Sequence, residues 1–387
     1  MVRRWNWEQE DWPQFSRESG RLARAEERFL FGSGVFFGSM SHLDAVEQER
    51  VAVEAMSGEA VTTSEIEGEM VSRVSVQSSI RRQLGLAAED VRAKPAERGI
   101  AEMMVSLYRT SAAAMTHEML HGWHRMICAG RGDLHEVGRY RTHEERMVVV
   151  SNRLDEPEVH FEAPPSLMMD AEMARFVEWF NRTAPGGSDA LPALTRAGMA
   201  HLYFVSIHPY EDGNGRVGRA IAEKALAQSV GRPTLTAVAA TILRHRKQYY
   251  HALEMANKRN EITAWLAWFA GIVLEAQERT SVQVEFLIQK TKLLDRVSGA
   301  LNERQSKALL RVLQEGVDGF KGGLSAAKYV AITKTSTATA TRDLGDMVEK
   351  GALRRTGEKR GVRYWAPIEG RAVRRYWIGE SGEVVGE

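Results

Sequence analysis

One cysteine, Cys128, serves 387 residues, so no intrachain disulfide can form and no cysteine zinc cluster can be built. Long apolar runs are also missing. The longest, Phe29 to Met40, is short, is broken by Gly32, Ser33 and Gly34, and cannot span a bilayer. No basic-then-apolar leader opens the sequence, so a soluble cytoplasmic protein with no membrane partner is expected. An excess of one charge sign is absent. Net charge is +1 with neutral histidines, which argues neither for nor against a polyanionic partner. What is present is an ordinary globular composition, 43% hydrophobic and 27% charged, long enough for two or three domains.

The most informative stretch is His208-Pro209-Tyr210-Glu211-Asp212-Gly213-Asn214-Gly215-Arg216-Val217-Gly218-Arg219. The apolar run Met199 to Ile207 before it predicts a buried helix. Pro209 cannot continue that helix normally, so it should end near His208. Gly213 and Gly215 permit backbone angles closed to other residues, and Asn214 tolerates left-handed ones. A new helix should open at about Asn214, with Val217, Ile221, Ala225 and Leu226 on one side. A glycine turn feeding a helix start leaves N–H groups unpaired and pointing one way, which binds anions. Arg216 and Arg219 reach the same helix end and can grip phosphate oxygens. Asp212 offers a hard oxygen for Mg²⁺, and His208 is a natural proton acceptor. No lysine lies in the loop, which excludes a Walker P-loop.

These residues resemble the signature of Fic proteins, His-x-Phe-x-(Asp/Glu)-Gly-Asn-Gly-Arg-x-x-Arg, with Tyr210 in place of the usual Phe. The resemblance implies transfer of AMP from ATP to a hydroxyl on a target protein. It casts His208 as the base and Asp212 as the Mg²⁺ ligand. It makes Gly213, Asn214 and Gly215 the anion hole, and Arg216 and Arg219 the phosphate clamps. Relatives that transfer a phosphoryl group carry Lys for the second glycine, so the intact Gly215 favours nucleotidyl transfer. The same site also suits removal of AMP, as in some relatives.

A second motif, Thr63-Ser64-Glu65-Ile66-Glu67-Gly68, resembles the inhibitory helix of some Fic proteins, (Ser/Thr)-x-x-x-Glu-(Gly/Asn), with Glu67 as the inhibitory residue. Glu67 is expected to pair bidentately with Arg219. Trp5, Trp7 and Trp12 crowd the start of the chain, with Trp5 and Trp7 alternating as on one face of a short extended piece. They are expected to cap a helical core. Together with Glu67-Gly68-Glu69 and Val76 to Ile80, they resemble an N-terminal extension of Fic proteins. His117-Glu118-Met119-Leu120-His121 matches a zinc-protease motif, but a third ligand is wanting because His124 lies too close in sequence.

Gly138-Arg139-Tyr140-Arg141 precedes two β-branched runs, Met147 to Ser151 and Val159 to Phe161, joined by Asn152 to Glu158. These predict a hairpin flap, which in Fic proteins lies beside the active site and can dock a target strand. Arg246 to Asn257 resembles the helix that closes the adenine pocket, with Tyr250 packing on the base and Asn257 bonding its edge. Trp265, Trp268 and Phe269 read as core. Beyond Asn302, three helices (Glu303 to Gln314, Leu324 to Ile332, Thr337 to Glu349) and a basic-tipped hairpin (Leu353 to Trp365) resemble a winged helix-turn-helix. From Asn302 on, 16 Lys and Arg against 11 Asp and Glu give +5, which suits either DNA or a protein interaction surface.

The expected fold is therefore mainly α. It comprises an N-terminal helical region over 1–95, a Fic-type core with a small β-hairpin flap over 96–280, and a winged helix over 281–387. The expected partners are ATP, Mg²⁺, a target protein with an acceptor hydroxyl, a second copy in a homodimer, and DNA through the wing. The rival function is a DNA-binding regulator that only senses nucleotide.

Overall fold

A computed structural model describes residues 4–150 and 159–387. The chain divides into two compact units, one of residues 1–278 with 374–387, the other of residues 279–373.

Unit one is helical. Its elements are α1 (Ala23–Met40), α2 (Ala45–Ile66), α3 (Arg73–Gln83), α4 (Pro95–Arg109) and α5 (His117–Ile127), then strands β1 (Val148–Val150) and β2 (Val159–Glu162). It continues with α6 (Met169–Arg182), α7 (Ala193–Ile207), α8 (Asn214–Val230), α9 (Val238–Arg244) and α10 (Arg246–Ala256). The helix α11 (Thr263–Arg296) begins in unit one and ends in unit two. The helix starts follow capping chemistry. Asp44 accepts from Glu47 N at 2.8 Å, and Pro95 occupies the first turn of α4, where no N–H is needed.

No break between compact units falls at the expected boundary at residue 95. Ile66, Val76, Ile80, Ile100 and Met103 share one core with Leu202, Phe204, Ile221 and Phe269, so residues before and after 95 fold as one body. Trp12 packs in this core and Trp7 against it, while Trp5 sits in a separate cluster with Phe161 and Ala163, and the segment is not an extended piece. Asn6–Glu8 is a 3₁₀ turn. Trp5 meets Phe161 edge-on at 5.5 Å, Trp7 Nε1 donates to Glu162 O at 2.6 Å, and Trp12 meets Tyr203 at 5.2 Å. Trp265 and Phe269 are buried as core, with Trp268 half-buried beside them. The flap pairs Val148 with Glu162 and Val149 with Phe161, antiparallel. Its expected connection, Asn152 to Glu158, lies outside the described residues, as does Ser151.

Unit two runs α12 (Glu303–Leu313), α13 (Ala326–Thr333), α14 (Thr337–Glu349), then the antiparallel pair β3 (Arg354–Thr356) and β4 (Arg363–Trp365). Leu324 adds a bridge to Tyr364. Its own core holds Leu309, Leu313, Tyr329, Leu344 and Met347. Residues 374–387 do not belong to it, contrary to the 281–387 expectation. Their strands β5 (Tyr376–Ile378) and β6 (Val384–Gly386) pack in unit one, where Arg28 Nη2 donates to Tyr376 Oη at 2.9 Å. Among the described residues no helix is long and apolar enough to cross a membrane.

Candidate active site

The site is built where α7 stops and α8 starts. Every residue of α7 is buried. The helix ends as the sequence requires: Pro209 has no N–H to give, and His208 turns left-handed at φ 52°. Gly213 caps α8 at φ 80°, a conformation that favours glycine. Asn214 clips the loop between them. Its Oδ1 accepts from Tyr210 N at 3.0 Å and its Nδ2 donates to Tyr210 O at 2.8 Å. That side chain is thus a loop brace, and only the backbone of Asn214 is left to face an anion. The two helices touch closely, since a Cβ at Gly218 would come within 3.0 Å of Val205 Cγ1.

His208 is poised as a neutral base. Its Nδ1 lies 3.3 Å from Val205 O. A carbonyl only accepts, so Nδ1 carries the proton and Nε2 keeps its lone pair. Burial, aided by the charge of Arg141, pushes the imidazole down to about 4, so it is unprotonated at neutral pH. Arg141, the last residue of the Gly138–Arg141 stretch, had no role assigned from sequence. Its Nε donates to His208 O at 2.9 Å, its Nη1 to Ser166 Oγ at 2.8 Å and its Nη2 to Pro164 O. It ties the His208 loop to the segment after the flap.

Tyr210 is fully buried and stacks on His124 with centroids 4.0 Å apart. Its hydroxyl, absent from the usual Phe, has found His121 Nδ1 at 3.2 Å. His117 Nδ1 meets Tyr140 Oη at 2.7 Å. The histidines of the zinc-like motif therefore brace two tyrosines. Among the described residues no cluster of three His, Cys, Asp or Glu could hold a metal.

The residues expected to hold phosphate are engaged by the protein's own charges. Arg219 is nearly buried; its Nε donates to Thr63 Oγ1 at 2.7 Å, and its Nη2 to Thr63 O at 3.0 Å and Glu67 Oε1 at 2.8 Å. The expected bidentate pair is thus a single bond: Nε turns to Thr63 Oγ1, and Nη1 meets no partner. Burial works against the charge of Arg219, yet Glu67, with Tyr249 and Tyr250, outweighs it and its pKa rises. A Cβ at Gly215 would lie 2.2 Å from Glu67 Oε1, so the carboxylate rests against the mouth of the anion cradle. Arg216 Nη1 pairs with Glu69 Oε2 at 2.5 Å. Arg216 Nε and Arg219 Nη1 are buried with no hydrogen-bond partner. Such orphaned donors cost free energy unless a ligand meets them.

Asp212 Oδ1 accepts from Gly213 N at 2.6 Å, and its Oδ2 lies 2.5 Å from Arg131 Nη1. Burial opposes its charge, but Gly213 and Arg131 outweigh that and hold it below the usual carboxylate range. One ionised oxygen donor suits Mg²⁺, which keeps waters and takes the rest of its shell from phosphates. Arg131 would have to leave Oδ2 first. On the adenine side, Tyr250 is exposed, with Oη donating to Ile66 O at 3.4 Å. Asn257 is buried, and its Oδ1 accepts from Ser206 Oγ at 3.1 Å. Ser206 in turn accepts from Asn6 Nδ2 at 2.9 Å, so Asn257 has a structural duty that the sequence did not announce.

Residues 114–226 match the model of the Fic/DOC family, and residues 5–86 match that of a domain of unknown function (DUF4172). The chain is 35% identical over 86 residues to the protein adenylyltransferase Fic of Drosophila mojavensis, covering 22% of this chain and 16% of that protein. It is 29% identical over 140 residues to that of Culex quinquefasciatus, covering 34% and 25%. The matches thus span no more than a quarter of these relatives' own length. A crystal structure of a Fic family protein from Desulfovibrio desulfuricans shares the fold at TM-score 0.51 and 20% identity, over 90% of this chain and 97% of that one. The chain carries a Fic/DOC domain within a mainly helical, Fic-type fold.

Proposed function

We propose that this protein transfers AMP from ATP to a Ser, Thr or Tyr hydroxyl of a target protein, with Glu67 holding the resting enzyme in check. One observation carries the reading. A neutral His208 with Nε2 free stands beside a helix N-terminus whose two arginines hold buried, unpartnered N–H groups. In the transfer, the target hydroxyl oxygen attacks the α-phosphorus, and its proton passes to His208 Nε2. The α–β phosphoanhydride bond breaks and pyrophosphate leaves. First-turn N–H groups of α8 and the arginines face the developing charge. Mg²⁺, held by Asp212 and the phosphates, would neutralise the leaving pyrophosphate. A positioned base contributes about 10²–10⁴-fold in rate.

Incubation with ATP labelled at the α- or the γ-phosphate tests this. Protein should acquire label from the α position and none from the γ position, and His208→Ala should remove the label while ATP binding persists. Label from the γ-phosphate would refute nucleotidyl transfer.

A second reading rests on unit two. Three helices followed by a hairpin, with Arg354, Arg355 and Lys359 exposed, favour a winged helix-turn-helix that contacts DNA or serves dimerisation. A gel shift on random duplex DNA and sedimentation of the full chain separate these two roles. DNA binding without label transfer would favour a nucleotide-sensing regulator.

A further inference from the structure

Arg219 is not the only motif arginine paired with an acid from the turn after α2. Arg216, 4% exposed at its side chain, pairs through Nη1 with Glu69 Oε2 at 2.5 Å. Its Nη2 stands 3.8 Å from Asp212 Oδ2, and its buried Nε meets nothing. The turn that presents Glu69 is built for the purpose. Gly68 sits at φ 83°, where a side-chain-bearing residue would be strained. Gly68 N donates to Glu65 O at 3.0 Å and Glu69 N to Ser64 O at 3.0 Å, which closes the helix end and sends the chain back. Beyond the turn, Ser72 N donates to Glu97 Oε1 at 3.1 Å and fixes the far side to α4. Glu67 and Glu69 thus flank one left-handed glycine, and each engages a different arginine of α8.

We infer that Glu69 is a second, independent lock on the phosphate site: it occupies Arg216 as Glu67 occupies Arg219, and a polyphosphate must displace both acids. The inference rests on the reading of the α8 N-terminus as a phosphate site. It adds to that reading a separate residue, acting on a separate clamp. Two acids beside a cradle already neutralised by its own chain oppose a multiply charged anion more than either acid does alone. Removing Glu67 therefore releases only half of the clamp.

The test is calorimetric binding of inorganic tripolyphosphate, which has no base to anchor it elsewhere, to the full chain. Wild type is compared with Glu67→Gln, Glu69→Gln, the double variant, and the double variant carrying Arg216→Ala. Glu69→Ala is a second substitution with the same expectation, and a wild-type-like melting transition certifies each protein. The double variant should bind at least tenfold more tightly than Glu67→Gln alone, and Arg216→Ala should cancel that gain. If Glu67→Gln tightens binding while Glu69→Gln adds nothing, the second lock is overturned and the phosphate site stands. If Glu69→Gln weakens binding, Glu69 positions Arg216 instead of blocking it, and the inference is wrong. If no variant binds tripolyphosphate, the phosphate-site reading itself fails and takes this inference with it.

Discussion

Glu67 Oε1 accepts from Arg219 Nη2 at 2.8 Å while standing 2.2 Å from where a Cβ at Gly215 would be. A single carboxylate therefore holds Arg219 and crowds the N-terminus of α8 at once. The arrangement needs Gly215 to lack a side chain, Gly68 to turn left-handed, and Thr63, one turn earlier on α2, to accept from Arg219 Nε and Nη2. Misplacement of a phosphate by about 1 Å can cost on the order of 10²-fold in rate. A pair of this kind can thus silence a site without closing it.

His208 should set no rate limb near neutrality. A free imidazole titrates near 6.5, but burial and Arg141 bring this one down to about 4, so Nε2 stays available well below pH 6. AMP transfer by a Glu67→Gly enzyme should be flat from pH 7.5 to 5.5. A fall centred near 6.5 would mean that His208 is solvated and ordinary.

Glu59 should make stability depend on pH in the direction opposite to a paired carboxylate. Burial pushes it up to about 8 from 4.5, and burial likewise lifts Glu223 to about 7. A raised carboxyl contributes stability that is complete below its unfolded pKa and is lost as pH rises through the folded value. Wild-type melting temperature should therefore drop, relative to Glu59→Gln, between pH 5.5 and 9. A constant difference across that range would contradict the buried protonated state.

Asn257 should prove both structural and nucleotide-facing. Its Oδ1 closes the chain Asn6–Ser206–Asn257, so Asn257→Ala should cost roughly 1–3 kcal/mol by orphaning the Ser206 donor. Chemical denaturation measures that loss. The variant's preference for ATP over GTP should weaken too. Tyr250→Ala should weaken the preference without the stability loss, since Tyr250 is exposed.

Deleting residues 374–387 should destabilise unit one, though no signature residue lies there. Tyr376 is buried, its ring lies 4.6 Å under the Arg28 guanidinium, and a Cβ at Gly271 would be 2.5 Å from Tyr376 O. The melting temperature of unit one should fall by several degrees. An unchanged transition would show the strand pair to be ornamental.

The sequence disclosed most where local chemistry decides. Pro209 and Gly213 marked the end of α7 and the start of α8, because proline lacks the N–H that would continue a helix and glycine alone takes the left-handed cap without strain. It misled where distant partners decide. Trp5 and Trp7 suggested an extended piece, but Asn6 N donates to Asn257 O at 2.7 Å and bends the segment into a 3₁₀ turn. Glu69 and Arg131 had no role assigned from sequence, because no motif ties either acid or arginine to its partner, Arg216 or Asp212, 147 and 81 positions away. The domain boundary at residue 95 looked like a linker, but the helices on both sides bury their apolar faces in one core.

The most direct measurement is incorporation of α-labelled AMP into protein by wild type, Glu67→Gly, and Glu67→Gly combined with His208→Ala. The account expects a nearly silent wild type, a sharp rise on Glu67→Gly, and silence again when His208 is lost. A Glu67→Gly enzyme no more active than wild type would show that the Arg219 pair is only a helix-end contact, and the regulatory account would fall.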